Sequence, residues 1–206
     1  MTGLSAVVLC GGESRRMGRP KAWLPFGSEL LLPRVVRLVG RVADPVVVVA
    51  SPDQDLPPLP GNVNVLERRD PVPFRGPLQG LSSGLAALAE SGTLVYATGT
   101  DAPFLQPGWV TRLAELIGDD DLAIPFVAGQ YHPLAALYRR STVLPAADAL
   151  LAAGRLRPVF LMERLRTRVV TADELRPVDP TLATLLNLNT PEDYERALAQ
   201  ERSDEG

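Results

Sequence analysis

The chain has 206 residues, 46% of them hydrophobic and 22% charged, a composition that fits one globular domain with a real core. A net charge of −3 and a pI near 5.3 give no electrostatic case for nucleic acid or an anionic membrane, and no apolar run reaches the length of a membrane span. The single cysteine, Cys10, excludes an internal disulfide and suits a reducing cytosol; with no cationic region ahead of a long apolar one at the start, a cytoplasmic protein is expected.

The apolar run at 6–9 predicts a first strand over 5–10, broken by Gly11 and Gly12. Over 33–42 the residues Val35, Val36, Val39 and Val42 share one helical face, with Pro33 in the first turn. The Val-rich run 45–50 predicts a strand buried on both sides. Four prolines and two aspartates make 51–61 a loop, and the alternation over 62–67 predicts a strand with one exposed face. A Pro/Gly-rich stretch, 68–80, leads into a helix over 78–90 with Pro77 in its first turn. The run 93–98 predicts a strand ending at Gly99-Thr100-Asp101, and 107–117 a helix with Trp109, Val110, Leu113 and Leu116 on one side. Strands follow at 122–127 and 133–138, a helix at 142–153, a short helix at 158–165, and strands at 168–171 and 185–189. Thr190, Pro191, Glu192 and Asp193 open a final helix, with Thr190 as N-cap and two carboxylates at the positive end of the dipole. Residues 1–200 are expected to form a single domain, and the polar tail 201–206 to be frayed and disordered. Strands alternating with helices predict an α/β fold with a mostly parallel sheet, helices on both faces, and a ligand site beyond the carboxyl ends of the strands.

The stretch after the first strand carries the chemistry. Adjacent glycines let the backbone turn sharply and approach a ligand closely. Arg15, Arg16, Arg19 and Lys21 follow at once, which suits a polyphosphate, and Lys21 is the only lysine in a chain that otherwise uses arginine. Neither common phosphate motif fits: the span from Gly12 to Gly18 is one residue too long for a Walker A loop, and Gly11 and Gly12 are adjacent where the dinucleotide fingerprint needs a spacer. Asp101, before Ala102-Pro103, is by itself usually just a turn former, but at the carboxyl end of a strand opposite a phosphate loop it becomes a candidate Mg2+ ligand. Asn187 and Asn189 share a face if 185–189 is a strand, but they also suit turn chemistry before the Thr190 cap.

Leu9-Cys10-Gly11-Gly12-Glu13-Ser14-Arg15-Arg16-Met17-Gly18-Arg19-Pro20-Lys21 resembles the signature of the nucleotidyltransferases that act on the molybdenum cofactor, Leu-Ala-Gly-Gly-x-Ser-x-Arg-Met-Gly-x-x-Lys, with Cys10 for the Ala. Further segments resemble that family in the same order: Asp70 with Gly76-Pro77-Leu78-Gln79-Gly80, then Asp101, His132-Pro133-Leu134, and Asn187-Leu188-Asn189-Thr190-Pro191-Glu192-Asp193. The chain departs at Ala50-Ser51-Pro52, where some relatives carry an Asn, so the residues contacting the base stay open. The resemblance implies a three-layer α/β/α, Rossmann-like nucleotide-diphospho-sugar transferase fold. It implies transfer of GMP from GTP to molybdenum-bearing molybdopterin with release of pyrophosphate, in partnership with molybdenum-insertion and acceptor molybdoenzymes. Its catalytic residues would be Lys21, Arg15 and Asp101, with Mg2+ on Asp101. Substrate would be held by Leu9, Cys10, Gly11, Gly12, Arg16, Lys21, Asp70, Gly76, Pro77, Leu78, Gly80, Asn187 and Asn189. A cytidylyltransferase for the same cofactor, a sugar or alditol nucleotidyltransferase, and a non-catalytic nucleotide- or cofactor-binding protein remain as alternatives. His132 reads as a substrate contact or packing residue, and Cys10 as a small core residue.

Overall fold

Val7 and Val8 point to opposite sides of the first strand, β1 (Leu4–Leu9), and both are fully buried, because helices cover both faces of the sheet. The computed structural model describes residues 3–11, 20–70, 75–88 and 94–204. After β1 come a 3-10 turn (Lys21–Trp23) and a small hairpin of β2 (Pro25–Phe26) and β3 (Glu29–Leu30), then α1 (Leu31–Val39), β4 (Val46–Ala50) and β5 (Val65–Arg69). The middle of the chain forms α2 (Pro77–Ala87), β6 (Leu94–Gly99), α3 (Pro107–Leu116), β7 (Leu122–Val127), β8 (Gln130–Tyr131), β9 (Ala135–Arg139) and α4 (Arg140–Ala152). A 3-10 stretch (Pro158–Glu163), β10 (Thr167–Thr171), α5 (Ala172–Leu175), a 3-10 turn (Ala183–Leu185) and α6 (Pro191–Asp204) complete it.

The main sheet runs β10-β7-β9-β6-β1-β4-β5, with β8 pairing β7. β1 lies parallel to both β4 and β6, and β4 parallel to β5; β9 runs antiparallel between β6 and β7. The expected α/β architecture and mostly parallel sheet are therefore present. On one face Val35, Val36 and Val39 of α1 and Trp109 and Leu113 of α3 pack on Ala6, Val8, Val46 and Val48. On the other, Leu81 and Leu85 of α2 and Val143 and Leu150 of α4 pack on Val7, Val47, Val49, Ala136 and Tyr138. That gives three layers. α2 lies close on β1 because two of its residues, one turn apart, are glycines. A Cβ at Gly84 would stand 2.5 Å from Val7 Cγ1, and one at Gly80 3.0 Å from Leu9 Cδ2. No helix among the described residues is long and apolar enough to cross a membrane.

Two expectations fail near the C-terminus. The segment 185–189 is not a strand. After the turn at 183–185 it runs irregularly, with Leu188 buried and Leu186 47% exposed, so the two leucines do not share a packed face. The Leu188 N–H donates to the Asp101 carbonyl at 3.0 Å instead of to a neighbouring strand. The tail does not fray at 201 either. α6 continues through Asp204, and Glu201 is buried by an ion pair to Arg34. The cap of α6 is as expected: Asp193 N–H donates to Thr190 Oγ1 at 3.1 Å and Thr190 N–H to Asp193 Oδ2 at 3.0 Å. A third apolar cluster, including Leu24, Phe26, Leu31, Phe104, Leu188 and Ala197, ties α6 and the β2–β3 hairpin to the carboxyl edge of the sheet.

Candidate active site

The carboxyl ends of β1, β4, β5 and β6 open into one cleft of about 440 Å³ among the described residues, a size suited to a nucleotide-like ligand. Backbone bonds beyond the strand ends set its floor. Cys10 N–H donates to the Val49 carbonyl at 2.8 Å, Thr100 N–H to the Leu9 carbonyl at 3.1 Å, and Asp70 N–H to the Ala50 carbonyl at 2.8 Å. These bonds extend the strands by a residue and set Thr100, Cys10 and Asp70 in a row across the strand ends, with Ala50 of β4 between the last two.

Gly11 sits where a Cβ would meet Ser51 Oγ at 3.0 Å and Ser51 N at 3.1 Å, so the turn after β1 packs closely on the loop after β4, and a side chain there would push Ser51 aside. That loop is fastened by Gln54. Its Nε2 donates to the Cys10 carbonyl at 3.1 Å and contacts Cys10 Sγ at 3.2 Å, while its Oε1 accepts from Ser51 N–H at 3.2 Å. Arg69 Nη1 holds the same loop through the carbonyls of Ser51 (3.3 Å) and Gln54 (2.5 Å). Burial pushes the Cys10 thiol up from its ordinary pKa, with hydrogen bonds from Thr100 and Gln54 opposing in part. The thiol is therefore protonated at neutral pH and is a packing group, as expected, though it also borders the cleft.

Lys21 opens the 3-10 turn and reaches across the mouth: its Nζ stands 3.0 Å from Asp101 Oδ2. Asp101 follows β6, and a Cβ at Gly99 would lie 2.4 Å from Asp101 Oδ1, so the carboxylate folds back over Gly99 and a side chain there would displace it. On the far wall Gly76 precedes α2 at φ +81, and a Cβ there would meet the Leu156 carbonyl oxygen at 3.2 Å. Ser83 Oγ donates to Asp70 Oδ1 at 3.4 Å, linking the carboxylate to α2.

Of the expected site residues, Leu9, Cys10, Gly11, Lys21, Asp70, Gly76, Pro77, Gly80 and the expected metal ligand Asp101 line this one cleft. Leu78 does not: it is fully buried beneath α2, because on a helix its neighbours Pro77 and Gly80 face the opening while it faces the core. Asn187 and Asn189 are exposed on the irregular segment whose Leu188 bonds Asp101, near the rim but outside the lining. Gly12, Arg15 and Arg16 lie outside the described residues. His132 is half-buried, with a ring nitrogen 3.5 Å from the Val127 carbonyl. It does not line the cleft, whereas Leu134 of the same motif does. Sequence reasoning missed Ser51, Arg75, Gly99 and Thr100, which also line it. Gly99 and Thr100 sit beside Asp101 and were within reach, but Ser51 and Arg75 carry no signal of their own in one sequence.

A family model described as the MobA-like NTP transferase domain matches residues 6–169. The protein named probable molybdenum cofactor guanylyltransferase from Mycobacterium tuberculosis (strain ATCC 25618 / H37Rv) is 38% identical over 192 residues, covering 91% of this chain and 89% of its own. The protein of the same name from Mycobacterium avium (strain 104) is 36% identical over 205 residues, 97% of each. The crystal structure of molybdopterin-guanine dinucleotide biosynthesis protein A from Archaeoglobus fulgidus superposes with a TM-score of 0.78 at 21% identity, over 97% of this chain and 99% of that one, a likeness of fold. With a family model spanning most of its length and relatives alike almost end to end, the chain belongs to the MobA-like NTP transferase family and is a nucleotidyltransferase.

Proposed function

We propose that the chain transfers GMP from GTP to the terminal phosphate of a molybdopterin-type cofactor, releasing pyrophosphate. The observation that carries the reading is the pairing of Lys21 with Asp101 at the mouth of a cleft built on a glycine turn. It is an ammonium for phosphate oxygens beside a carboxylate for a divalent cation. The relatives' printed name, probable molybdenum cofactor guanylyltransferase, supports a guanylyl donor and a molybdenum-cofactor acceptor. A biosynthetic step of this kind fits a cytoplasmic setting.

The residues present suit Mg2+. The described residues hold no cluster of three potential metal ligands, and Mg2+ needs none: it takes one or two carboxylates and completes its shell with water and phosphate oxygens. Asp101, folded over Gly99 at the cleft mouth, would supply that carboxylate, and the cation would neutralise charge on the phosphates. The acceptor phosphate oxygen attacks the α-phosphorus, a new P–O bond forms, the bond to the β-phosphate oxygen breaks, and pyrophosphate leaves with the electron pair. A phosphate monoester is already an anion at neutral pH, so the protein needs no strong base; half-buried His132 stands outside the lining. The barrier is repulsion between anions. Lys21 and the backbone at Gly11 lower it by position and charge. Gly12, Arg15 and Arg16 would add to that grip.

Thermal melting with Mg2+ and each of GTP, CTP, ATP and UTP tests the nucleotide. A ligand at about a hundred times its Kd stabilises by roughly 2.7 kcal/mol, a rise of several degrees. GTP alone is expected to give it, followed by pyrophosphate release when the pterin acceptor is added. A shift with CTP alone would keep the chemistry and change the product, and no shift with any nucleotide would sink the reading.

A further inference from the structure

Arg34 lies on α1, away from the cleft lining, yet its guanidinium joins three separate parts of the chain. Nη1 and Nη2 donate to the two carboxylate oxygens of Glu201 on α6, at 2.5 and 2.8 Å. Nε donates to the Pro103 carbonyl at 2.9 Å. The group also stands 4.9 Å from the centre of the Phe26 ring on β2. Only 15% of the Arg34 side chain and 9% of the Glu201 side chain are exposed.

Both attachment points border the catalytic pair. Pro103 is two residues past Asp101; Phe26 lies on the hairpin that follows the Lys21 turn, and its ring meets Phe104 edge-on at 5.5 Å and 82°. The C-terminal segment touches the same two places independently. Leu188 N–H donates to the Asp101 carbonyl at 3.0 Å, and the Tyr194 hydroxyl donates to the Pro25 carbonyl. The arrangement is a brace across the back of the cleft mouth. α6 is also outside the stretch matched by the family model, 6–169.

A buried ion pair is a poor way to add stability. Desolvation offsets much of the attraction, and apolar side chains of similar size would pack as well. A planar fork does something apolar groups cannot: it fixes the distance between three backbone segments through directed bonds.

We propose that Arg34 and Glu201 are positioning residues, locking α6 against the 101–104 turn and the 21–26 segment so that Asp101 and Lys21 keep the spacing that receives a metal-bound nucleotide. This rests on the reading of Asp101 as a carboxylate that faces the cation. Arg34→Lys keeps the charge and loses the fork, whereas Glu201→Gln leaves the Nε bond to Pro103 in place. Each variant and the wild type are titrated with GTP, with and without Mn2+, by calorimetry at a temperature where all are folded, and kcat and KM are measured alongside. Small displacements of reacting groups cost up to about 100-fold. Arg34→Lys is therefore expected to weaken metal-dependent GTP binding and lower kcat by roughly 10-fold to 100-fold, with metal-free GTP binding unchanged. Glu201→Gln should move both in the same direction by less, and it decides the matter if Arg34→Lys does not fold. Variants that only melt earlier, with wild-type metal-dependent binding and kcat, overturn the positioning role and leave the proposed function intact. A wild type whose GTP binding ignores Mn2+ overturns the reading of Asp101 and the brace with it.

Discussion

Lys21 Nζ and Asp101 Oδ2 stand 3.0 Å apart although eighty residues separate them in sequence. Their side chains are 21% and 24% exposed, so solvent screening holds the pair's contribution to stability to about 1 kcal/mol or less. Its value is in readiness. Under the proposed reaction a phosphate takes the ammonium and a cation takes the carboxylate together, so neither charge is left buried without a counter-charge at any point.

Lys21→Ala should therefore leave the fold nearly untouched and remove much of the activity. Loss of one group that stabilises transition-state charge costs roughly 100-fold to 1,000-fold in kcat. The melting temperature should move by no more than about 4 °C. Pyrophosphate release and a thermal melt on the same preparation check both halves; wild-type turnover would remove Lys21 from the mechanism.

Asp101→Asn keeps the shape at the end of β6 and removes the charge. Nucleotide binding should then lose its dependence on Mg2+, while metal-free binding persists. Calorimetric titration with GTP, with and without Mg2+, reads this directly. A Mg2+ response equal to wild type would move the cation site elsewhere.

The two glycines of α2 should behave differently. A methyl at Gly84 meets Val7 at 2.5 and 2.7 Å and Val49 at 3.2 Å, all branched side chains packed in the sheet, so Gly84→Ala should destabilise by about 1–3 kcal/mol in urea unfolding. A methyl at Gly80 meets only the tip of Leu9 at 3.0 Å, which can shift. Leu9 lines the cleft, so Gly80→Ala should raise KM for nucleotide more than it lowers the urea midpoint. Equal stability losses would contradict this contrast.

His132 should give stability an acid limb. Burial holds its pKa below the ordinary 6.5, and the Val127 carbonyl opposes this only in part. As pH falls through 6.5 the unfolded chain takes up the proton first, so the folded state loses ground from there down through its own lower pKa. Above 6.5 the residue contributes no pH dependence. Urea midpoints of wild type and His132→Gln, compared well above and well below 6.5, should diverge only on the acid side, with the variant losing less.

Most of the fold could be read from periodicity because its strands are unusually plain. The run 46–50 is Val-Val-Val-Val-Ala, fully buried, and 94–99 ends on a glycine that marks the site. The reversed direction of β9 could not be read, since period and hydrophobicity carry no sign along the chain. The 185–189 segment misled because Leu-Asn-Leu-Asn alternates as a strand does, while the bond from Leu188 to Asp101 satisfies its backbone in another way. Glu201 misled because a charged residue near a polar end looks solvated, and its partner Arg34 lies 167 positions away. Gly11, Lys21 and Asp101 were legible because a glycine turn, the only lysine and a carboxylate follow predicted strands, whereas Leu9 and Asp70 were expected only through the family resemblance. Gln54, whose three contacts fasten the loop beside them, sits in an unpatterned proline-rich stretch that gives no such cue.

The place of β1 in the sheet sets an order in time. On one side it pairs with β4, Ala6 opposite Val46; on the other it pairs with β6, Leu4 opposite Leu94. Closing the longer loop costs somewhat more entropy, about 0.6 kcal/mol per doubling of length, which favours the β1–β4 pairing forming first. The half of the cleft formed by β1 and β4 can therefore assemble while Asp101 is still remote. If Lys21 and Asp101 act as proposed, competence for chemistry waits on the docking of β6, and catalytic activity during refolding should lag behind the burial of β1 and β4.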